Sequence, residues 1–272
     1  LGEKMIINNK LIEDSFKYDI APINERLQDI YDLSDILEYC NQINEKIYSD
    51  ATLMNIEVIE GITFSEWLFE SENDDVHQLF LELYNNIQYD KTKFDKKINI
   101  SLGIYEGSVW NRDLYVNERR NILSKIKNPN EYEKFMHSCF IESVFSESVT
   151  NELCHHIDNF ASHTVEITNN LAYLNDNAVR LHKEHLNNTK EAIAIINSHL
   201  MKCSDDPAHK KDLYFKFEYD KNGIREIKKV LCSVHTKLVR ADSNLRIYFN
   251  WCDNDIDSGN KVLIGLIGRH PY

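Results

Sequence analysis

Leu245-Arg-Ile-Tyr-Phe-Asn-Trp251 and Lys261-Val-Leu-Ile-Gly-Leu-Ile267 are two apolar runs separated by the polar stretch Asp253-Asn-Asp-Ile-Asp-Ser-Gly259. Side chains alternate across a strand, so Arg246 and Tyr248 share one face of the first run while Ile247 and Phe249 share the other. With Gly259 in the connection, the pair predicts an antiparallel hairpin. Upstream, Leu213-Tyr-Phe-Lys-Phe-Glu-Tyr219 alternates aromatic and polar residues like a strand with one buried face, and Lys221-Asn-Gly223 predicts a turn. Ile224, Ile227, Val230 and Leu231 then fall at helical spacing, which predicts a short helix over 224–231.

Charge changes with pattern. Residues 209–272 hold 12 Lys/Arg against 8 Asp/Glu, whereas residues 1–208 hold 19 against 36. The overall net charge of −13 argues against general affinity for nucleic acid, yet a basic module on an acidic body can bind phosphate locally. Ser204-Asp-Asp-Pro207 is a polar turn cluster at the change-over. The expected architecture is therefore α+β, with an acidic, mainly helical regulatory or adaptor region over 5–207 and a basic, antiparallel β-rich domain over 208–272.

The acidic region gives a coarser signal. Helical spacing runs from Asp32 to Tyr48, from Asp74 to Ile87, and over most of 117–201. Thr52 to Glu60 and Lys97 to Tyr105 read as strands, while residues 5–30 are polar and irregular. A hydrophobic fraction of 42% and a charged fraction of 28% describe a globular chain. No run approaches the roughly 18 apolar residues of a membrane span, and the N-terminus lacks the basic and apolar regions of a signal peptide. The expectation is a cytoplasmic protein without a membrane partner.

Several chemistries find no support in the sequence. Six scattered cysteines form neither a CxxC pair nor a disulfide framework. Glu152-x-x-His155 has the spacing of half a di-iron helix motif, but its second half is missing, so no metal is expected. There is no phosphate-binding Gly-x-x-x-x-Gly-Lys loop and no Gly-x-Ser-x-Gly elbow, and no cofactor is expected.

The basic segment carries a better candidate. His235, Lys237, Arg240, Arg246, Tyr248, Arg269 and His270 fall on two predicted strands and the loops beside them. Cleavage of an RNA phosphodiester without metal needs a base for the 2′-hydroxyl, an acid for the leaving 5′-oxygen, and cations for the phosphorane. Histidine suits the proton transfers and arginine the phosphate. His235 and His270 are the acid/base candidates, and Lys237 is a second base or a phosphate contact. Arg240, Arg246 and Arg269 are the charge stabilisers, and Tyr248 and Trp251 are platforms for a base.

At these residues the segment resembles the RelE/ParE-type toxin fold within the wider group of barnase-like and EndoU-like ribonucleases. The points of resemblance are the order of strand, helix and curled antiparallel sheet, Arg246-Ile-Tyr-Phe-Asn-Trp251, and the terminal Ile264-Gly-Leu-Ile-Gly-Arg-His270. The resemblance covers about a quarter of the chain and implies metal-independent cleavage of RNA, often ribosome-bound. It also implies a toxic effector regulated within a toxin-antitoxin or antiviral-defence system, with a regulatory protein partner. The alternative expectation is a non-catalytic interaction protein whose basic module docks a protein or ribosomal partner. The sequence fixes no oligomeric state.

Overall fold

The computed structural model describes residues 7–19, 25–50, 52–70, 81, 84–85, 87–88, 94–185, 188–199, 201–206, 208–221, 223–238 and 244–271. The chain divides into two units, Leu1–Arg119 and Arg120–Tyr272, and contains both helices and several small sheets.

In the first unit β1 (Ile7–Leu11), α1 (Leu27–Gln42), β2 (Ile47–Tyr48), β3 (Glu57–Ile59), β4 (Ile62–Thr63), α2 (Phe64–Glu70), β5 (Ile87–Gln88) and β6 (Lys96–Ile100) follow in order. A parallel sheet forms in the order β5-β2-β1-β6, and β3 pairs antiparallel with β4 across the turn at Gly61, whose φ is +75°. α1 buries Ile30, Leu33, Ile36, Leu37 and Cys40, at the helical spacing expected, but it begins before Asp32 and ends at Gln42. The mainly helical region expected over 5–207 thus contains a sheet, and β1 lies within residues read as irregular. β1 reads Ile-Asn-Asn-Lys-Leu, and its buried alternation is hidden because one inward position is Asn9, which is buried by donating to Glu45 and the Lys46 carbonyl. Thr52 to Glu60 holds only the three residues of β3 as strand, and the helix expected from Asp74 to Ile87 lies mostly outside the described residues.

α3 (Arg112–Ser124) begins in the first unit, where Arg119, fully buried, donates to Glu45 Oε2 at 2.6 Å and Oε1 at 3.0 Å. A buried guanidinium is tolerated because both carboxylate oxygens meet it in bidentate geometry.

The second unit continues through α4 (Pro129–Met136), β7 (Ser143–Phe145), α5 (Glu147–His155), α6 (Thr164–Glu184), α7 (Thr189–Ser198) and β8 (Lys202–Asp205). It ends with β9 (Tyr214–Lys221), β10 (Ile224–Leu231), β11 (Val234–Lys237), β12 (Arg246–Asn250) and β13 (Val262–Gly268). α4 starts where Asn128 accepts hydrogen bonds from the Asn130 and Glu131 amides, with Pro129 in the first turn. A five-stranded sheet forms in the order β7-β13-β12-β11-β8, antiparallel except where β13 meets β7. β12 and β13 are the hairpin expected from the sequence, with a register shift after Tyr248. The expected boundary after residue 207 falls inside this unit, because β7 and β8 come from before it.

The helix expected over 224–231 is instead β10, paired along its length with β9. The turn at Gly223, with φ +81°, returns the chain directly alongside β9. Pairing with that strand outweighs the weak helical spacing, and Ile224 and Ile227 are left exposed instead of lining a helix face. The order of strand, helix and curled sheet that carried part of the toxin resemblance is therefore changed. Leu213, Phe215, Phe217, Val230 and Cys232 form one buried cluster with Tyr248, Leu263 and Leu266, which seats the β9–β10 hairpin on one face of the large sheet. Among the described residues no helix is long and apolar enough to cross a membrane.

Candidate active site

Register places two polar rungs across that sheet face. Ser204 of β8 lies opposite His235 of β11, which lies opposite Tyr248 of β12. One step along, Lys202 lies opposite Lys237, Lys237 opposite Arg246, and Arg246 opposite Gly268 of β13. Directly paired residues point to the same side of a sheet, so the strands alone assemble the group.

The first rung is deep. Tyr248 is fully buried and His235 is 4% exposed. His235 Nε2 is 3.0 Å from Ser204 Oγ, Nδ1 is 3.5 Å from the Ser233 carbonyl, and the imidazole centroid is 4.9 Å from that of Tyr248. Burial drives the His235 pKa down to about 4, with Arg246, Lys237 and His270 adding to the depression and the Ser233 carbonyl opposing it. His235 is therefore neutral at pH 7. It serves better as a positioning group than as a reacting one.

His270 closes over the rung from the chain after β13. Its Nδ1 is 2.5 Å from Tyr248 Oη, and its ring lies 6.1 Å from that of His235. His270 is partly exposed, and its pKa is lowered by burial first and then by Arg246, with Asp206 opposing. Arg246 and Lys237 are also partly exposed. Arg246 donates from one terminal nitrogen to the Leu245 carbonyl at 2.9 Å, while its Nε finds no hydrogen-bond partner among the described residues. The Glu152 carboxylate lies over Gly268, 3.1 Å from where a Cβ would stand.

The structure thus brings together His235, Lys237, Arg246, Tyr248 and His270. Arg240 lies outside the described residues. Arg269 instead forms an ion pair with Asp158 on the exposed surface. Trp251 is 5% exposed, stacked on His182 and edge-on to Phe249, so it offers no face to a base. The same holds for Tyr248, whose ring is enclosed by the hairpin cluster. Sequence reasoning missed Ser204, Asp206 and Glu152. Period-two alternation puts Arg246 and Tyr248 on one face, but only the pairing of β8 with β11 reveals Ser204 as a partner of His235.

Among the described residues no group of three or more His, Cys, Asp or Glu is arranged to hold a metal ion. No family model, no curated protein and no solved structure matches this chain.

Proposed function

We propose that the second unit is a metal-independent endoribonuclease that cleaves RNA by transesterification, as a regulated toxic effector. The observation that carries this reading is the Lys237–Arg246 rung beside a His270 that is held by Tyr248 and whose pKa burial and Arg246 lower. With His270 Nδ1–H donating to Tyr248 Oη, the Nε2 lone pair is the base that removes the 2′-hydroxyl proton. The 2′-oxygen attacks phosphorus and the P–O5′ bond breaks. The Lys237 ammonium donates a proton to the leaving 5′-oxygen, and a 2′,3′-cyclic phosphate remains. Arg246 neutralises the charge gathering on the phosphorane oxygens, the type of stabilisation that dominates such reactions. His235, buried and neutral, fixes the Tyr248 ring from behind.

The test is sequencing of RNA 5′ ends from cells expressing the full chain, His270→Ala or Arg246→Ala. The wild type is expected to create discrete new ends, and each substitution to reduce them at least about 100-fold, the usual weight of one general base or one charge stabiliser. Equal cutting by all three proteins would remove the site assignment.

The burial of both His235 and Tyr248 favours a second reading, a non-catalytic module in which the Lys202, Lys237 and Arg246 strip docks a phosphate-bearing or acidic partner. Binding that survives His270→Ala but weakens with salt, with no cleavage, would support it.

A further inference from the structure

The outward face of the β9–β10 hairpin presents Tyr214 and three cross-strand pairs: Lys216 with Lys229, Glu218 with Ile227, and Asp220 with Arg225. Its inward face is anchored by Phe215, Phe217 and Val230, so the outward residues are displayed on a rigid support. Lys216 and Lys229 stand directly opposite one another, an arrangement that costs stability when nothing neutralises it. Of the other cations of the hairpin, Lys228 and Arg225 have carboxylate partners, while Lys221, at the tip, has no ion pair among the described residues. Lys228 reaches Asp253 at 2.6 Å and Asp255 at 2.5 Å, and Arg225 reaches Glu218 at 3.4 Å. Lys216 and Lys229, with Lys210 and Lys211 in the turn that leads into β9, have no ion pair among the described residues. Beside them Tyr214 is 52% exposed, although its neighbour Phe215 is buried. Four of the five cations without an ion pair are therefore at the base of the hairpin, while toward its tip Lys221 and Arg225 are offset by Glu218, Asp220 and Glu226.

We propose that this base, formed by Tyr214, Lys216, Lys229, Lys210 and Lys211, is a docking surface for single-stranded RNA, which deepens and rests on the ribonuclease reading above. The lysines take successive phosphates and the Tyr214 ring stacks on a base, the two elements that together hold single strands without sequence preference. Lysines flanking a half-exposed aromatic ring match the alternating phosphates and bases of a single strand, and on that match the occupant is RNA.

The experiment measures fluorescence anisotropy of a labelled single-stranded oligouridylate with the full chain across a salt series. A dinucleotide, which occupies only the reacting centre, measures cleavage in parallel. Lys216→Gln/Lys229→Gln is expected to weaken oligouridylate binding about tenfold at low salt and to reduce the slope of log affinity against log salt by about 1.4, two single-strand phosphate contacts. Tyr214→Ala is expected to weaken it about tenfold with the slope unchanged. Both variants should cleave the dinucleotide as the wild type does. Binding by the variants equal to wild type, or absence of binding by the wild type, overturns the docking surface. So does polyglutamate competing as well as RNA, which would assign the face to an acidic protein. Hairpin-dependent binding without dinucleotide cleavage would instead leave the docking surface standing and remove the catalytic reading.

Discussion

His235 shows how one buried imidazole ties the candidate site to the stability of the fold. Its pKa of about 4 compares with roughly 6.5 for an unperturbed histidine. The folded value is the lower one, so between about pH 6.5 and 4 the unfolded chain binds a proton that the folded site refuses. The stabilisation is complete above that window and is lost as pH falls through it, by on the order of 3 kcal/mol for this residue. His182 and His270 are shifted in the same direction, so the wild type should lose melting temperature steeply below pH 6.5. His235→Gln keeps a polar group facing Ser204 but cannot gain that proton. It is expected to melt lower than wild type at pH 7.5 and to show a clearly shallower decline toward pH 5. Parallel melting curves for the two proteins would disprove the assignment of that proton to His235.

At the scale of elements, the contact between hairpin and sheet depends on Gly265. A Cβ at this position would overlap the Phe215 ring and stand 2.9 Å from Cys232 Sγ. Gly265→Ala should therefore cost about 1–3 kcal/mol through overpacking, visible as a lower denaturant midpoint. An unchanged midpoint would show that the hairpin can shift without penalty. The same elements show what the sequence makes legible. β12 and β13 can be read because each is a long apolar run flanked by turn residues, and period-two alternation correctly places Arg246 beside Tyr248. β10 was hidden because Ile224, Ile227 and Val230 are three apart, a helical interval, and only the neighbouring β9 decides its state. β2 and β5, two residues each, are too short for any periodicity to form. Ser204 and Glu152 reach the site from β8 and α5, and pairing over such sequence distances leaves no local trace.

Across the whole molecule, charge follows the units and not the last quarter of the chain. Residues 1–119 carry 11 Lys/Arg against 24 Asp/Glu, while residues 120–272 carry 20 against 20. The whole net charge of −13 thus sits in the first unit, and the second is neutral. A fragment of residues 111–272 keeps Asn111, which caps α3 by accepting from the Leu114 amide at 2.9 Å, and keeps all five strands of the large sheet. It is expected to unfold cooperatively in urea. A fragment of residues 208–272 lacks β7 and β8, baring both edges of the remaining strands, and is expected to aggregate. A soluble, cooperatively folded 208–272 would show that the two upstream strands are dispensable. The position of β13 has a further consequence during synthesis. Ser143 pairs with Val262, so β7 emerges from the ribosome long before the strand that covers it exists. The first unit can fold as it is made, but the second remains an open-sided sheet until residues 262–268 arrive, and the rungs around Arg246 and His270 cannot assemble sooner. Any toxicity carried by this site would then be withheld from the nascent chain by the order of translation alone.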